Sequence, residues 1–249
     1  MDADEMKLRH LADLCRRSEK TGLWVYSGFL SLAEQQAFRQ ASVSRGLDFR
    51  FWGGSEWAER RILAAGSESL LGCPPDYPLR LLAIRPASEK YGEELTHRDY
   101  LGAVLNLGID RELTGDILVQ GKHAWMFCLD SAADLICEGL TRVRHTTVVT
   151  ERAPREAPPP EPALEPLSLN VPSERLDAMV AGLTGLSRAR ASELFPAGKV
   201  HVNGQPILDG SKAPNPGDLL SVRGYGKVVY DGIRRETKKN RLVVELRKF

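Results

Sequence analysis

Long apolar runs are missing from this sequence. The longest are a few residues, as in Leu81-Leu82-Ala83-Ile84, far short of the ~20 that a spanning helix needs. No membrane segment is therefore expected. Cysteine is sparse: Cys15, Cys73, Cys128 and Cys137 stand apart with no CxxC pair. That excludes a small disulfide scaffold and a cysteine-based zinc site, and it predicts reduced, mostly buried thiols in a cytoplasmic chain. The histidines His10, His97, His123, His145 and His201 show no metal spacing, so no metal is expected. No glycine-rich dinucleotide or methyl-donor loop occurs, and Gly53-Gly54 is not followed by the Lys-Ser/Thr of a P-loop. Neither a cofactor nor a small-molecule substrate is expected. The opening Met1-Asp2-Ala3-Asp4-Glu5-Met6-Lys7 is acidic and has no apolar core, so no secretory signal is expected.

Net charge is also nearly absent, at +1 over 249 residues, but it is unevenly divided. From Ser168 to Phe249 there are 14 Lys and Arg against 8 Asp and Glu, a net of +6. The other 167 residues carry 20 against 25. Such asymmetry points to a polyanionic partner for the basic part. With 42% hydrophobic and 27% charged residues, the chain is ordinary globular material with room for two or three small domains.

One linker divides it. Ala153–Pro166 reads APREAPPPEPALEP, 14 residues with prolines at 154, 158, 159, 160, 162 and 166. The run favours an extended polyproline spacer that could reach ~40 Å. Residues 153–167 are read as a passive hinge. Before it, residues 1–75 are expected to be mainly helical: Met6, Leu8, Leu11, Leu14 and Cys15 fall near helical spacing, and Ser31 with Glu34 forms a capping-box pattern opening a helix to about Ser44. The stretch from Phe51 to Arg61 sets aromatics and Gly53-Gly54 ahead of an expected charged helix.

Residues 76–152 alternate cleanly. Strand-like Leu79–Arg85 is followed by a helix from Thr96 to about Gly108, strands Asp116–Gln120 and Ala124–Leu129, a helix capped by Ser131, and a strand over Val143–Thr150. This β-α-β-β-α-β order is that of the ferredoxin-like plait used by RNA-recognition-motif domains. Trp125 and Phe127 share one face of the third strand. The RNP signature is not met, so core packing is the preferred reading for both. Residues 168–249 begin with a helix expected from Ser173 and a turn at Thr184-Gly185. A second helix is capped by Ser187, and Lys199–Gly204 is a strand entering a turn. Strands follow near Leu219–Arg223, Lys227–Tyr230 and Leu242–Leu246. The fold class is thus α+β and multidomain.

The last piece resembles the S4 domain, a small RNA-binding module. The residues that carry the likeness are Arg175-Leu176-Asp177, Ser187-Arg188, Ala191, Gly198, Val200, Val202-Asn203-Gly204 and Gly217-Asp218. The resemblance implies that its two helices and adjoining loop meet RNA, with Arg175, Ser187, Arg188 and Lys199 as candidate contacts. The residues agree, since Arg188 and Arg190 in a first helical turn favour phosphate oxygens. Phe195-Pro196 departs from the module's usual aliphatic pair, and Pro196 should end the helix early and shift the loop carrying Lys199. Asp177 reads as a first-turn carboxylate favoured by the helix dipole, able to fix Arg175 or a loop.

Over nearly its whole length the chain is similar to the bacterial YlmH family, also known as RqcP, some relatives of which are labelled photosystem II S4-domain proteins. The likeness rests on Trp52-Gly53-Gly54 with Ala58-Glu59-Arg60, on Thr96-His97-Arg98-Asp99-Tyr100-Leu101-Gly102, on Leu107-Gly108 and Gly115-Asp116-Ile117-Leu118-Val119, and on Thr237-Lys238-Lys239. It implies a non-enzymatic factor that binds rRNA and tRNA on the large ribosomal subunit, holding peptidyl-tRNA during tail synthesis in ribosome-associated quality control. Lys238 and Lys239 join the candidate RNA contacts. No catalytic residue is expected. His97-Arg98-Asp99 matches a kinase tripeptide, but the kinase's other motifs are absent; within the resemblance it is a family signature and a candidate functional surface. Arg175-Leu176-Asp177 is shared with pseudouridine synthases, but Ala178-Met179-Val180-Ala181 follows where those enzymes place Thr/Ser and Gly. Two alternatives stay open: a protein-interaction adaptor in cell division or photosystem assembly, and an RNA-modifying enzyme.

Overall fold

The computed structural model describes residues 3–154, 160–238 and 240–249. Two compact units emerge, Met1–Glu161 and Pro162–Phe249. Both mix helices with antiparallel sheets, so the chain is α+β. No helix among the described residues is long and apolar enough to cross a membrane.

The first unit opens with α1 (Ala3–Thr21), which buries Leu11, Ala12 and Cys15 on one face. A three-stranded sheet follows, built from β1 (Val25–Leu30), β2 (Phe49–Trp52) and β3 (Arg61–Ala65) in the order β1-β3-β2. Residues 1–75 hold the expected helices, but this sheet was not expected among them, and its strand β3 stands where a charged helix was expected after Gly54. The reason is physical. β3 is the central strand, and Ile62, Leu63, Ala64 and Ala65 are all buried. A strand covered on both faces shows no alternation for the sequence to reveal. Between β1 and β2, α2 (Leu32–Gln40) starts on the expected capping box: Ser31 Oγ accepts from Glu34 N, and Glu34 accepts from Ser31 N at 2.6 Å. It ends four residues before the expected Ser44, giving way to a 3-10 turn at Ser42–Ser44. A single turn, α3 (Glu68–Leu71), leads onward.

Next come β4 (Leu79–Pro86), α4 (His97–Leu105), β5 (Thr114–Gln120), β6 (His123–Leu129), α5 (Asp130–Gly139), β7 (Arg142–Val143) and β8 (Thr146–Arg152). The sheet runs β5-β6-β4-β8-β7, with every pairing antiparallel. Leu82, Ile84 and Met126 on its inner face pack on Tyr100 and Val104 of α4 and on Ala133 and Ile136 of α5. Thr96 caps α4, forming a capping box with Asp99. Ser131 does not cap α5; the helix begins at Asp130, two residues earlier than a Ser131 cap would place it, with Leu129 as N-cap and no side-chain cap bond. Asp130 is held there by its N–H on Pro78 O at 2.9 Å and by Arg80 Nε at 2.8 Å.

The opposite face of this sheet is half closed. Phe127, Phe29 and Ile62 are buried together, flanked by Trp57, Tyr77, Leu79 and Leu81. Gly54 lies so close under the Phe127 ring that a Cβ would overlap it, and its φ of +98 also suits glycine. Asp116 accepts the N–H groups of Glu59 (2.6 Å) and Arg60 (3.1 Å). Arg60 in turn donates to Thr114 O, Phe29 O and Arg111 O at 3.0–3.1 Å. Burial pushes the Asp116 carboxyl up, opposed by those N–H bonds and by Arg60.

The second unit is a six-stranded antiparallel sheet with two short helices. It contains β9 (Glu165–Val171), α6 (Leu176–Thr184), α7 (Arg188–Glu193), β10 (Val200–Val202), β11 (Gln205–Pro206), β12 (Leu219–Val222), β13 (Gly226–Glu236) and β14 (Leu242–Lys248), in the order β11-β10-β12-β13-β14-β9. Met179, Val180, Ala191, Phe195, Leu220, Tyr230 and Val244 form its core. β9 is an addition to the expected strands: the expected linker gives way to strand at Glu165, and Pro166 is tolerated because β9 is an edge. Linker residues 155–159 lie outside the described residues.

All four cysteines are free. Burial pushes the Cys15 and Cys128 thiols up to about 11 and about 12. Cys73 is exposed and Cys137 half-buried, so only two of the four are fully buried. No His, Cys, Asp or Glu group among the described residues is placed to hold a metal ion.

Candidate nucleic-acid interface

The start of α6 organises the cations of the second unit. The helix begins at Leu176, two residues later than a Ser173 cap would place it, with Arg175 as N-cap. The orphan donors at this end are taken by a neighbouring loop instead: Leu176 N–H bonds Lys212 O and Asp177 N–H bonds Gly210 O, both at 2.9 Å. A serine cap is not needed, and the Ser173 Oγ is buried with no partner among the described residues. Glu174 is pinned by the buried Tyr230, whose hydroxyl donates to it at 2.5 Å.

Asp177 is the hub. Its side chain is only 9% exposed, whereas Arg175 and Arg188 are 45% and 49% exposed. Arg175 forks onto it through Nε at 3.2 Å and Nη2 at 3.1 Å. Arg188 forks onto it from α7 through Nε at 3.3 Å and Nη2 at 3.1 Å. Burial disfavours the Asp177 charge, but the bonds from Arg175 and Arg188 outweigh it and hold the carboxyl below its ordinary value. One carboxylate therefore fixes two guanidinium groups by one edge each. Their Nη1 ends make none of these bonds. Two positive charges against one negative leave the cluster cationic. Guanidinium groups fixed in advance lose little rotamer freedom on meeting a phosphate.

Ser187 caps α7, its Oγ accepting from Arg190 N at 3.4 Å. Arg190 is exposed, with no ion-pair partner among the described residues. α7 ends at Glu193, before Pro196, as the proline requires. Lys199 is exposed beyond it, its N–H bonded to Leu194 O at 2.9 Å. Arg175 and Arg188 are thus brought together on one carboxylate. Lys238 is exposed near the turn between β13 and β14, and Lys239 lies outside the described residues.

Sequence reasoning missed two cations. Arg223 N–H bonds Lys199 O at 2.8 Å, which sets the two side by side, and Lys212 adjoins the start of α6. Only strand pairing and loop packing bring them there, and no local motif marks either. It also missed the tie from Asp177 to Arg188, eleven residues on.

In the first unit Phe127 is 6% exposed beneath Gly54, so it is core, as preferred. Trp125 is half-buried on the uncovered part of the same face, edge-on to His123 with ring centroids 6.2 Å apart.

Residues 74–157 match the family model described as a putative RNA-binding domain in YlmH. Over 214 residues the chain is 28% identical to the ribosome-associated protein quality control protein P2 of Bacillus subtilis (strain 168), covering 86% of this chain and 82% of that protein. It is also similar to a solved structure, the cell division protein ylmH from Streptococcus pneumoniae, at 24% identity with a TM-score of 0.48, covering 62% of this chain and 93% of that one. The family match spans the five-stranded sheet and stops short of the arginine cluster on α6 and α7.

Proposed function

From the likeness of the chain to the YlmH RNA-binding domain over residues 74–157 and to the Bacillus relative, we propose that it is a non-enzymatic RNA-binding factor of ribosome-associated quality control. It meets structured rRNA and tRNA on the large ribosomal subunit and steadies peptidyl-tRNA there. The observation that carries this is the Asp177-anchored pair of Arg175 and Arg188, cationic, half-open to solvent and fixed in advance. The RNA-binding family model matched over 74–157 and the likeness to the Bacillus quality-control protein support it.

In this reading residues 168–249 are an S4-like module whose Arg175, Ser187, Arg188, Arg190, Lys199, Lys238 and Lys239 contact RNA. Residues 76–152 are a ferredoxin-like, RRM-like domain, and the strand order β5-β6-β4-β8 supports that assignment. Residues 1–75 form an N-terminal domain that covers part of its sheet, and 153–167 link the halves. The protein works in the cytoplasm and needs no cofactor. Phosphate contacts dominate, because Arg and Lys make up the face and salt-sensitive counterion release supplies affinity.

The test is co-sedimentation with ribosomal subunits at stepped salt, wild type beside Arg188→Ala. Salt-sensitive migration with the large subunit, weakened in the variant, is expected. A wild-type protein that stays at the top of the gradient even at low salt overturns the reading.

A further inference from the structure

We propose that the groove between α4 and the segment from the end of α5 through the β7–β8 turn is a second RNA site, one that takes the sugar–phosphate backbone of a folded RNA. It rests on the RNA-binding reading and locates a contact inside the 74–157 segment, away from the Asp177 cluster. The groove has a volume of about 500 Å³, and its lining includes Arg98, Gly102, Asn106, Arg142 and Arg144.

Charge is the first observation. Arg98, Arg142 and Arg144 are all exposed. The one carboxylate in the lining, Asp99, is already engaged, accepting the Thr96 N–H at 2.8 Å and the Thr96 hydroxyl at 2.7 Å. Its contact with Arg144 is long, at 3.4 Å. Arg98 has no ion-pair partner among the described residues. Three guanidinium groups against one committed carboxylate leave a net positive groove.

Backbone conformation is the second observation. Val143 pairs with Thr146, so Arg144-His145 is a two-residue turn. Arg144 holds it with φ of +52, a left-handed conformation that glycine or asparagine adopts more readily than arginine. The turn aims an arginine where glycine would fold more easily. Strain of this kind at an exposed residue points to function.

Gly102 supplies the third. It sits inside α4, four residues after Arg98 and four before Asn106, so the three share one helix face. A Cβ placed there would meet nothing within 4 Å. Glycine weakens a helix interior relative to alanine, and no packing in the fold requires it here. A bare backbone beside three arginines suits the close approach of a ligand's own backbone.

No aromatic side chain among the described residues lines the groove. That disfavours base stacking and the aromatic anchors of a protein interface, and favours contacts to phosphate and 2′-hydroxyl groups.

The experiment uses the full chain with two probes, purified large ribosomal subunits and a labelled RNA hairpin, at stepped KCl. The variants are Gly102→Ala, the pair Arg98→Ala with Arg144→Gly, and Arg188→Ala, each checked by its melting temperature. Gly102→Ala and Arg144→Gly should hold or raise the melting temperature, since each improves local backbone propensity. Binding should nonetheless weaken several-fold for Gly102→Ala and on the order of tenfold for the arginine pair, with the salt slope of the pair falling by about two. Wild-type affinity and slope in both groove variants, alongside a weakened Arg188→Ala, overturn the groove and leave the RNA-binding reading standing. No binding by the wild type at low salt overturns that reading and the groove with it. Groove variants that keep RNA but lose a protein captured from nuclease-treated extract mark a protein interface and also overturn the proposal.

Discussion

In the first unit, Phe29 and Phe127 are buried where the three-stranded sheet covers the five-stranded one, with Tyr26, Trp57 and Tyr77 around them. The second unit has no tryptophan, and it buries Phe195 and Tyr230 in its own core while leaving Arg175, Arg188, Arg190 and Lys199 at the surface. RNA-recognition-motif sheets offer aromatics to stack bases. In the five-stranded sheet of this chain, part of one face is closed by the N-terminal sheet. The comparison teaches that RNA affinity should come from guanidinium and ammonium groups on phosphates, with aromatics contributing mainly to stability.

The sharpest way to break that contrast is Phe127→Ala. Removing a fully packed aromatic should cost about 3–5 kcal/mol of stability, read by denaturant unfolding of the full chain. A loss under about 1 kcal/mol would mean the covered face is not a core. Asp177→Ala comes next. It leaves two arginines without their shared acceptor and should destabilise the second unit by about 1–3 kcal/mol. Melting curves of wild type and variant would show it, and an unchanged curve would deny Asp177 its role as hub.

The same carboxylate sets a pH dependence. Its folded value is held below the ordinary one, so the unfolded chain binds the proton more readily than the native one. The stabilisation is fully present above the ordinary carboxylate value and is lost as pH falls through the lower folded value. Acid should therefore erode wild-type stability more steeply than that of Asp177→Asn. Parallel acid profiles would contradict the assignment. The smallest effect is expected from Arg190→Ala, which should weaken RNA binding by a few-fold without moving the melting temperature, since its side chain has no ion-pair partner among the described residues. A marked fall in melting temperature would show that Arg190 serves the fold.

Local signals were legible and non-local ones were not. Ser31, Thr96 and Ser187 announce α2, α4 and α7 because a cap is a contact within three or four residues. The order of elements in 76–152 was legible because its strands and helices carry distinct hydrophobic periods. The three-stranded sheet was not, because its central strand is buried throughout. The start of α6 was misplaced because its donors are met by residues 210 and 212, far along the chain. Trp52-Gly53-Gly54, Ala58-Glu59-Arg60 and Gly115-Asp116 could be recognised as family residues without revealing their use. In the fold, Gly54 receives Phe127, Arg60 holds three carbonyls and Asp116 ties back the Glu59-Arg60 backbone. Of the proposed RNA face, the arginines were legible, but the carboxylate that holds both of them could be placed only by folding.

The most direct measurement is the slope of log affinity against log salt for the full chain on a labelled RNA hairpin, wild type beside the Arg175→Ala, Arg188→Ala double variant. If both guanidinium groups meet phosphates, the slope falls by about two and affinity drops across RNA sequences alike. An unchanged slope with unchanged affinity would contradict the central claim that this fixed pair contacts RNA.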